Sequence, residues 1–139
     1  MISQLTVFLE NEKGRLAAAC RAVSDAGINM HALNLADTSD FGVVRMLTDT
    51  PEAAAEALRE QGYRATVTPV LAVRVPNVPG GLAKLLEFMD EQDANVEYGY
   101  CFSVNEDYAV DVLKADGSDD LEQKLTDAGF EPVRPEDIY

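Results

Sequence analysis

The chain has 139 residues, of which 47% are hydrophobic, enough to fold into one ordinary domain or two minimal ones and too many to stay disordered. Its 25 acidic and 11 basic residues leave a formal charge of -14. Residues 70–139, with 16 acidic and 5 basic groups, carry most of that charge, which repels phosphate backbones and anionic lipid; with no Lys/Arg stripe to offset it, nucleic acid and membrane surfaces are excluded as partners.

In chain order, Leu5, Val7 and Leu9 alternate with other residues, the pattern of a strand with one buried face. Leu16, Ala19, Cys20 and Val23 follow the i, i+3, i+4, i+7 spacing of a helix with one apolar stripe, and Gly27 is a fitting stop. Two strands are predicted over about 29–37 and 41–48, joined through Thr38-Ser39-Asp40. A second helix covers 51–61 with Pro51 in its first turn, and Gly62-Tyr63 ends it and opens a strand.

The same order then recurs. Leu71, Val73 and Val75 repeat the first strand, and Leu82, Leu85, Leu86 and Met89 repeat the first stripe. Strands are predicted at about 95–104 and 108–114, joined through Asn105-Glu106-Asp107. A helix at about 118–128 buries Leu121, Leu125 and Ala128, and Gly129-Phe130 opens a last strand. An offset of 66 pairs Leu5, Asn11, Gly14, Leu16, Asn29 and Leu47 with Leu71, Asn77, Gly80, Leu82, Asn95 and Leu113; one inserted residue later, an offset of 67 pairs Leu58, Gly62 and Tyr63 with Leu125, Gly129 and Phe130. The reading is an α+β chain of two tandem ferredoxin-like βαββαβ modules, residues 1–69 and 70–139. Each has an antiparallel sheet with both helices on one face. A module this small is marginal alone, so the two are expected to pack on each other.

The turns after the first strand of each copy read LENEKGRLAAA and VPNVPGGLAKL, and the first copy continues into INMHALNLADTSDFGVVR. These segments, with ANVEYGYCF in the second copy, resemble the ACT domain, and the resemblance spans essentially the whole chain. It implies binding of a free amino acid, commonly between two copies. Carried over by position, the ligand-binding residues would be Asn11, Glu12, Lys13, Gly14, Arg15, Leu16 and Asn29 in the first copy. In the second they would be Asn77, Val78, Pro79, Gly80, Gly81, Leu82 and Asn95, each loop acting with the Asn region of the other copy. The chemistry suits the residue types. A helix start offers N–H groups and a positive dipole end to a carboxylate, Gly lets the backbone approach, and Asn both donates and accepts. The sequence departs from the family pattern at Lys13, where Pro commonly precedes the Gly, and at Asp93, which replaces the Gly of position 27.

No GxSxG, P-loop, dinucleotide fingerprint or HExxH is present, so no catalytic residue is assigned. Cys20 and Cys101 form no CxxC, and the one histidine, His31, is read as structural, so no metal or cofactor is expected. No segment is long and apolar enough to span a bilayer, and MISQLTVFLENEKG lacks the features of a secretory signal, which points to the cytoplasm. The expected function is a stand-alone regulator that binds an amino acid and modulates a metabolic enzyme in trans, as a homodimer. The alternatives are an assembly subunit without ligand binding and, less favoured, a small enzyme.

Overall fold

The computed structural model describes residues 1–139 except 38–39 and 117–119, and except the side chains of residues 37 and 103. The elements are β1 (Ile2–Glu10), α1 (Arg15–Asp25), β2 (Met30–Asp37), β3 (Phe41–Thr48), α2 (Pro51–Glu60), β4 (Arg64–Pro76), α3 (Gly81–Glu91), β5 (Asn95–Val104), β6 (Tyr108–Asp116), α4 (Leu121–Asp127), β7 (Glu131–Pro132) and α5 (Pro135–Ile138). Two compact units result. The amino-terminal unit holds Ser3–Thr68 with Tyr139, and the carboxy-terminal unit holds Pro69–Ile138 with Met1–Ile2. The strands run β2-β3-β1-β4 in the first and β5-β6-β4-β7 in the second, so each is a split βαββαβ sheet. The linker expected around Thr68-Pro69-Val70 is the middle of β4.

In the amino-terminal unit one core gathers Leu5, Val7 and Leu9 of β1, Val44 and Met46 of β3, Ala19 and Val23 of α1, and Ala54, Ala55 and Leu58 of α2. Both helices therefore cover one face, and the α1 stripe is the one the spacing predicts. The opposite face of β1 carries buried Gln4 and Thr6, and both are satisfied. Gln4 Nε2 donates to Thr6 Oγ1 at 3.1 Å, and the hydroxyls of Thr6 and Thr68 meet at 3.2 Å. His31, at the start of β2, stacks on Tyr139 with ring centroids 4.8 Å apart. Burial, then the charge of Asp49, pushes the Tyr139 hydroxyl up to about 12.

The second core repeats the first, with Leu71, Val73 and Val75 of β4, Leu113 of β6, Leu85 and Met89 of α3, and Leu121 and Leu125 of α4. Four sequence expectations need correction here. Leu82 and Leu86 of the predicted α3 stripe are 42% and 36% exposed, because that helix meets the core mainly through Leu85 and Met89, with Phe88 beside them. Ala128 is exposed, since α4 ends at Asp127 and the chain turns away through Gly129. The last strand is only two residues long; Pro132 has no N–H for the ladder, and Pro135 opens α5. The turn read at Thr38-Ser39 and the helix start read at 118 lie outside the described residues.

The fourth correction concerns the alignment of the copies. Val7 pairs with Val44, whereas its counterpart Val73 pairs with Asp111, so third strands align at an offset of 67 and Met46, not Leu47, matches Leu113. The inserted residue lies earlier, within β5. Pairing there passes from Cys101 with Asp111 to Ser103 with Val110, which leaves Phe102 over as a β-bulge. A bulge common to both copies falls at His31 and Glu97.

The corrected register places Asp111 where the first copy has core Val44. It is only 9% exposed, and burial raises its carboxyl above the usual carboxylate range. The folded chain thus holds this proton more tightly than the unfolded chain. Stability falls as pH rises from the ordinary carboxylate pKa through the raised one. Asp111→Asn is expected to raise the melting temperature at pH 7, with the gain shrinking toward about pH 3, below the ordinary carboxylate range. Melting curves across that range check it; an unchanged or lower melting temperature at pH 7 refutes the account.

Candidate functional site

Each unit turns from its first strand into its first helix through a left-handed glycine. Gly14 has φ 87° and ψ -10°, and Gly80 has φ 87° and ψ -5°. Neither helix has a side-chain cap; the first N–H of each, at Arg15 and Gly81, donates to the carbonyl of Glu12 or Val78, and the N–H groups that follow in the first turn point outward from both loops. A Cβ built at either glycine meets nothing within 4 Å. The glycine requirement there is one of backbone angle, and the space before the loop is open.

The loops differ in what their side chains do. Asn77 Nδ2 donates to the carbonyl of Asn105 at 2.6 Å, and Asn77 N donates to the carbonyl of Asp107 at 3.0 Å. Asn105 Oδ1 in turn accepts from the backbone N–H of Asp107 and Tyr108, each at 2.8 Å. Asn77 is therefore a tie between the helix-entry loop and the β5–β6 turn. Asn11 has no hydrogen-bond partner among the described residues, and its amide stays exposed. Arg15 ion-pairs Glu10 at 3.1 Å and Glu12 at 3.7 Å across the first loop. Gly81 lies so close to Pro76 that a Cβ would sit 2.2 Å from its carbonyl oxygen.

Within a unit the asparagines at the start of the second strand are not near these loops. Asn29 precedes Met30, which pairs with Thr48 at one end of β3, while Glu10, at the loop, pairs with Phe41 at the other. That is a strand length of roughly 20–25 Å. Asn95 likewise pairs with Asp116, far from the Pro76–Tyr108 pair beside the second loop. Both are exposed.

Beside each loop is a cleft that takes in Arg15 in the first unit and Val78, Pro79, Gly80 and Gly81 in the second, with further walls that the sequence reading did not name. In the amino-terminal unit it encloses about 600 Å³ and is lined by Phe8, Leu9, Glu10, Arg15, Phe41, Gln61, Gly62, Tyr63 and Arg64. In the carboxy-terminal unit it encloses about 470 Å³, lined by Val78, Pro79, Gly80 and Gly81 together with Arg74, Val75, Pro76, Lys84, Asp107, Tyr108, Gly129, Phe130 and Glu131. The clefts are repeat counterparts, since Phe8, Leu9 and Glu10 match Arg74, Val75 and Pro76, and Gly62, Tyr63 and Arg64 match Gly129, Phe130 and Glu131. The recurring Gly-aromatic pair was visible as a helix stop; its second use as a cleft wall depends on where the strand ends meet.

Two copies of a split βαββαβ fold, each with a left-handed glycine and an uncapped helix after its first strand, define a duplicated ferredoxin-like module. The chain belongs to the ACT domain pair family, whose sequence profile matches residues 1–137. No curated protein matches it. Among solved structures, protein BT0572 from Bacteroides thetaiotaomicron is 33% identical, with a TM-score of 0.90 over 99% of this chain and 94% of that one. The regulatory subunits of aspartate kinase from Thermus thermophilus and Thermus flavus share the fold at 18% identity. Their TM-scores are 0.67 and 0.66, with 91% and 89% of this chain and 89% and 88% of theirs covered.

The tight approach at Gly81 makes a direct test of the second loop. Gly81→Ala must push the Pro76 carbonyl aside, at a cost of about 1–3 kcal/mol. Gly42→Ala, whose Cβ would meet the Leu35 side chain at 3.4 Å and the Ala36 carbonyl oxygen at 3.8 Å, is the tolerated control. Urea unfolding should show a lower midpoint for the first and little change for the second. Equal midpoints would mean the loop yields freely.

Proposed function

We propose that this is a regulatory protein that binds a free amino acid at its helix-entry loops and modulates a metabolic enzyme on another chain. The observation that carries the reading is the pair of helices α1 and α3, each starting at a left-handed glycine without a side-chain cap. The outward N–H groups and the positive helix end suit an α-carboxylate. Family membership supports the ligand class.

The two loops are unequal under this reading. Asn77 already spends its amide on Asn105, whereas the amide of Asn11 is uncommitted among the described residues, so the first loop is the stronger site. Glu12, Lys13 and Arg15 flank it, and the exposed Arg15–Glu10 and Arg15–Glu12 pairs span the loop. The role of Asn29 and Asn95 remains part of the proposal, as residues of a second copy's contribution.

A thermal-shift and calorimetric panel of the common L-amino acids tests this. A ligand at 100 times its dissociation constant stabilises the fold by about 2.7 kcal/mol, a rise of several degrees in melting temperature. Gly14→Val should abolish the response, because it strains the left-handed backbone and places a branched Cβ in the open space before the loop. A panel without shift or heat at millimolar concentration rejects the reading.

One observation favours a second reading, an assembly subunit. Val78, Leu82 and Leu86 are 61%, 42% and 36% exposed, and the two leucines are one turn apart on α3. If the chain is a homodimer through this face, Leu82→Glu should halve the mass measured by light scattering. A wild-type chain that is monomeric at micromolar concentration sinks the dimer.

A further inference from the structure

The cleft of the amino-terminal unit has a chemistry of its own. Phe8 and Phe41 are 37% and 43% exposed, with ring centroids 6.3 Å apart and planes tilted by 57°. The Arg64 guanidinium sits over the Phe8 ring, 5.6 Å from its centroid. Among the described residues Arg64 has no acidic partner within 4 Å, whereas Arg15, the other cation of the cleft, is paired with Glu10 and Glu12. The walls thus present one guanidinium without a carboxylate partner among the described residues, beside open aromatic surface, in a chain whose formal charge is -14.

The repeat supplies an internal comparison. In the second cleft Arg74 lies 4.2 Å over the Tyr108 ring and pairs with Glu131 at 3.4 Å. Glu131 stands at the position of Arg64 and pairs the Arg74 guanidinium, while Lys84, also in the lining, has no ion pair among the described residues. The arginine-on-aromatic arrangement recurs, and only the first copy leaves that arginine without a carboxylate partner among the described residues.

We propose that the cleft of Phe8, Phe41, Tyr63 and Arg64 binds a planar aromatic monocarboxylate, its ring on the phenylalanines and its carboxylate on Arg64. About 600 Å³ accommodates a ligand of this size. The exposed rings offer stacking surface, and a guanidinium already held over an aromatic face can take a carboxylate through its remaining donors. One free cation matches one negative charge; a phosphate dianion would leave charge unpaired in a repelling field. The site does not depend on the helix-start N–H groups, so it stands or falls separately from amino-acid binding at the loops.

The chain has no Trp, so indole emission reports only the ligand. Indole-3-acetate titrated with the full chain should show a saturable anisotropy rise, with a dissociation constant on the order of 100 µM. Tryptamine, with the same ring and the opposite charge, should bind at least about tenfold more weakly. Arg64→Glu, which installs the acid of the second copy, and Phe8→Ala should each weaken binding at least about tenfold; Arg64→Gln serves the same purpose if the first variant melts early. Asp111→Asn, in the other unit and outside both sites, should leave the titration unchanged. The proposal is overturned if indole-3-acetate does not saturate below several millimolar, if tryptamine binds equally, if the Arg64 variants keep full affinity, or if Asp111→Asn removes binding. Displacement by adenosine monophosphate with higher affinity than indole-3-acetate would overturn it in favour of a nucleotide.

Discussion

In each copy the antiparallel ladder between the first and third strands decides what the rest of the module can do. It sets which side chains face the helices, because a strand's side chains alternate and a one-residue slip would exchange its faces. Leu5 with Met46 and Val7 with Val44 define the core face in the first copy, and Leu71 with Leu113 and Val73 with Asp111 define it in the second. The same ladder ends at Glu10–Phe41 and Pro76–Tyr108, beside the glycine turns and the clefts. Core, loop and cleft are consequences of one register.

The architecture was legible because it rests on short-range signals. Period-two apolar residues, one clean helical stripe and glycines at turns each encode local structure directly. The failures came where a long-range contact decides. Leu82 and Leu86 have the spacing of a buried stripe, yet α3 meets the sheet mainly through Leu85 and Met89. An alignment by sequence alone placed the inserted residue after β6, although the ladder places it at Phe102, where a bulge absorbs it without disturbing the core. The cleft walls beyond the loop residues were missed for a similar reason. Phe8, Phe41 and Arg64 lie far apart in sequence, on three strands, and only pairing order brings them together. The loop residues were nameable in advance, but not that Asn77 would be tied to Asn105 while Asn11 stays uncommitted.

Duplication relaxes the demand that every copy keep every feature. A residue at a functional position in one module can take a structural task in the other, provided the fold survives. Asp93 illustrates how little the fold needs. It adopts φ 57° where the first copy has Gly27 at φ 75°, since a short polar side chain tolerates the left-handed region. Asp111 shows the opposite limit, a carboxylate at a valine position whose cost appears as a raised proton affinity.

The divergence of the clefts follows the same logic through electrostatics. An arginine over an aromatic ring is stable in either copy, and an exposed ion pair adds little, roughly 0–1 kcal/mol. Glu131 therefore has little stability value to offset the charge that it removes from the second cleft. Its consequence is chemical, because a neutralised guanidinium attracts an anion far less than a free one. The first copy, with Arg64 in place of that acid, keeps the attraction, and it also holds the uncommitted Asn11. Both features that favour a small anionic group thus fall in the same unit, and in the half of the chain that carries the smaller share of the negative charge.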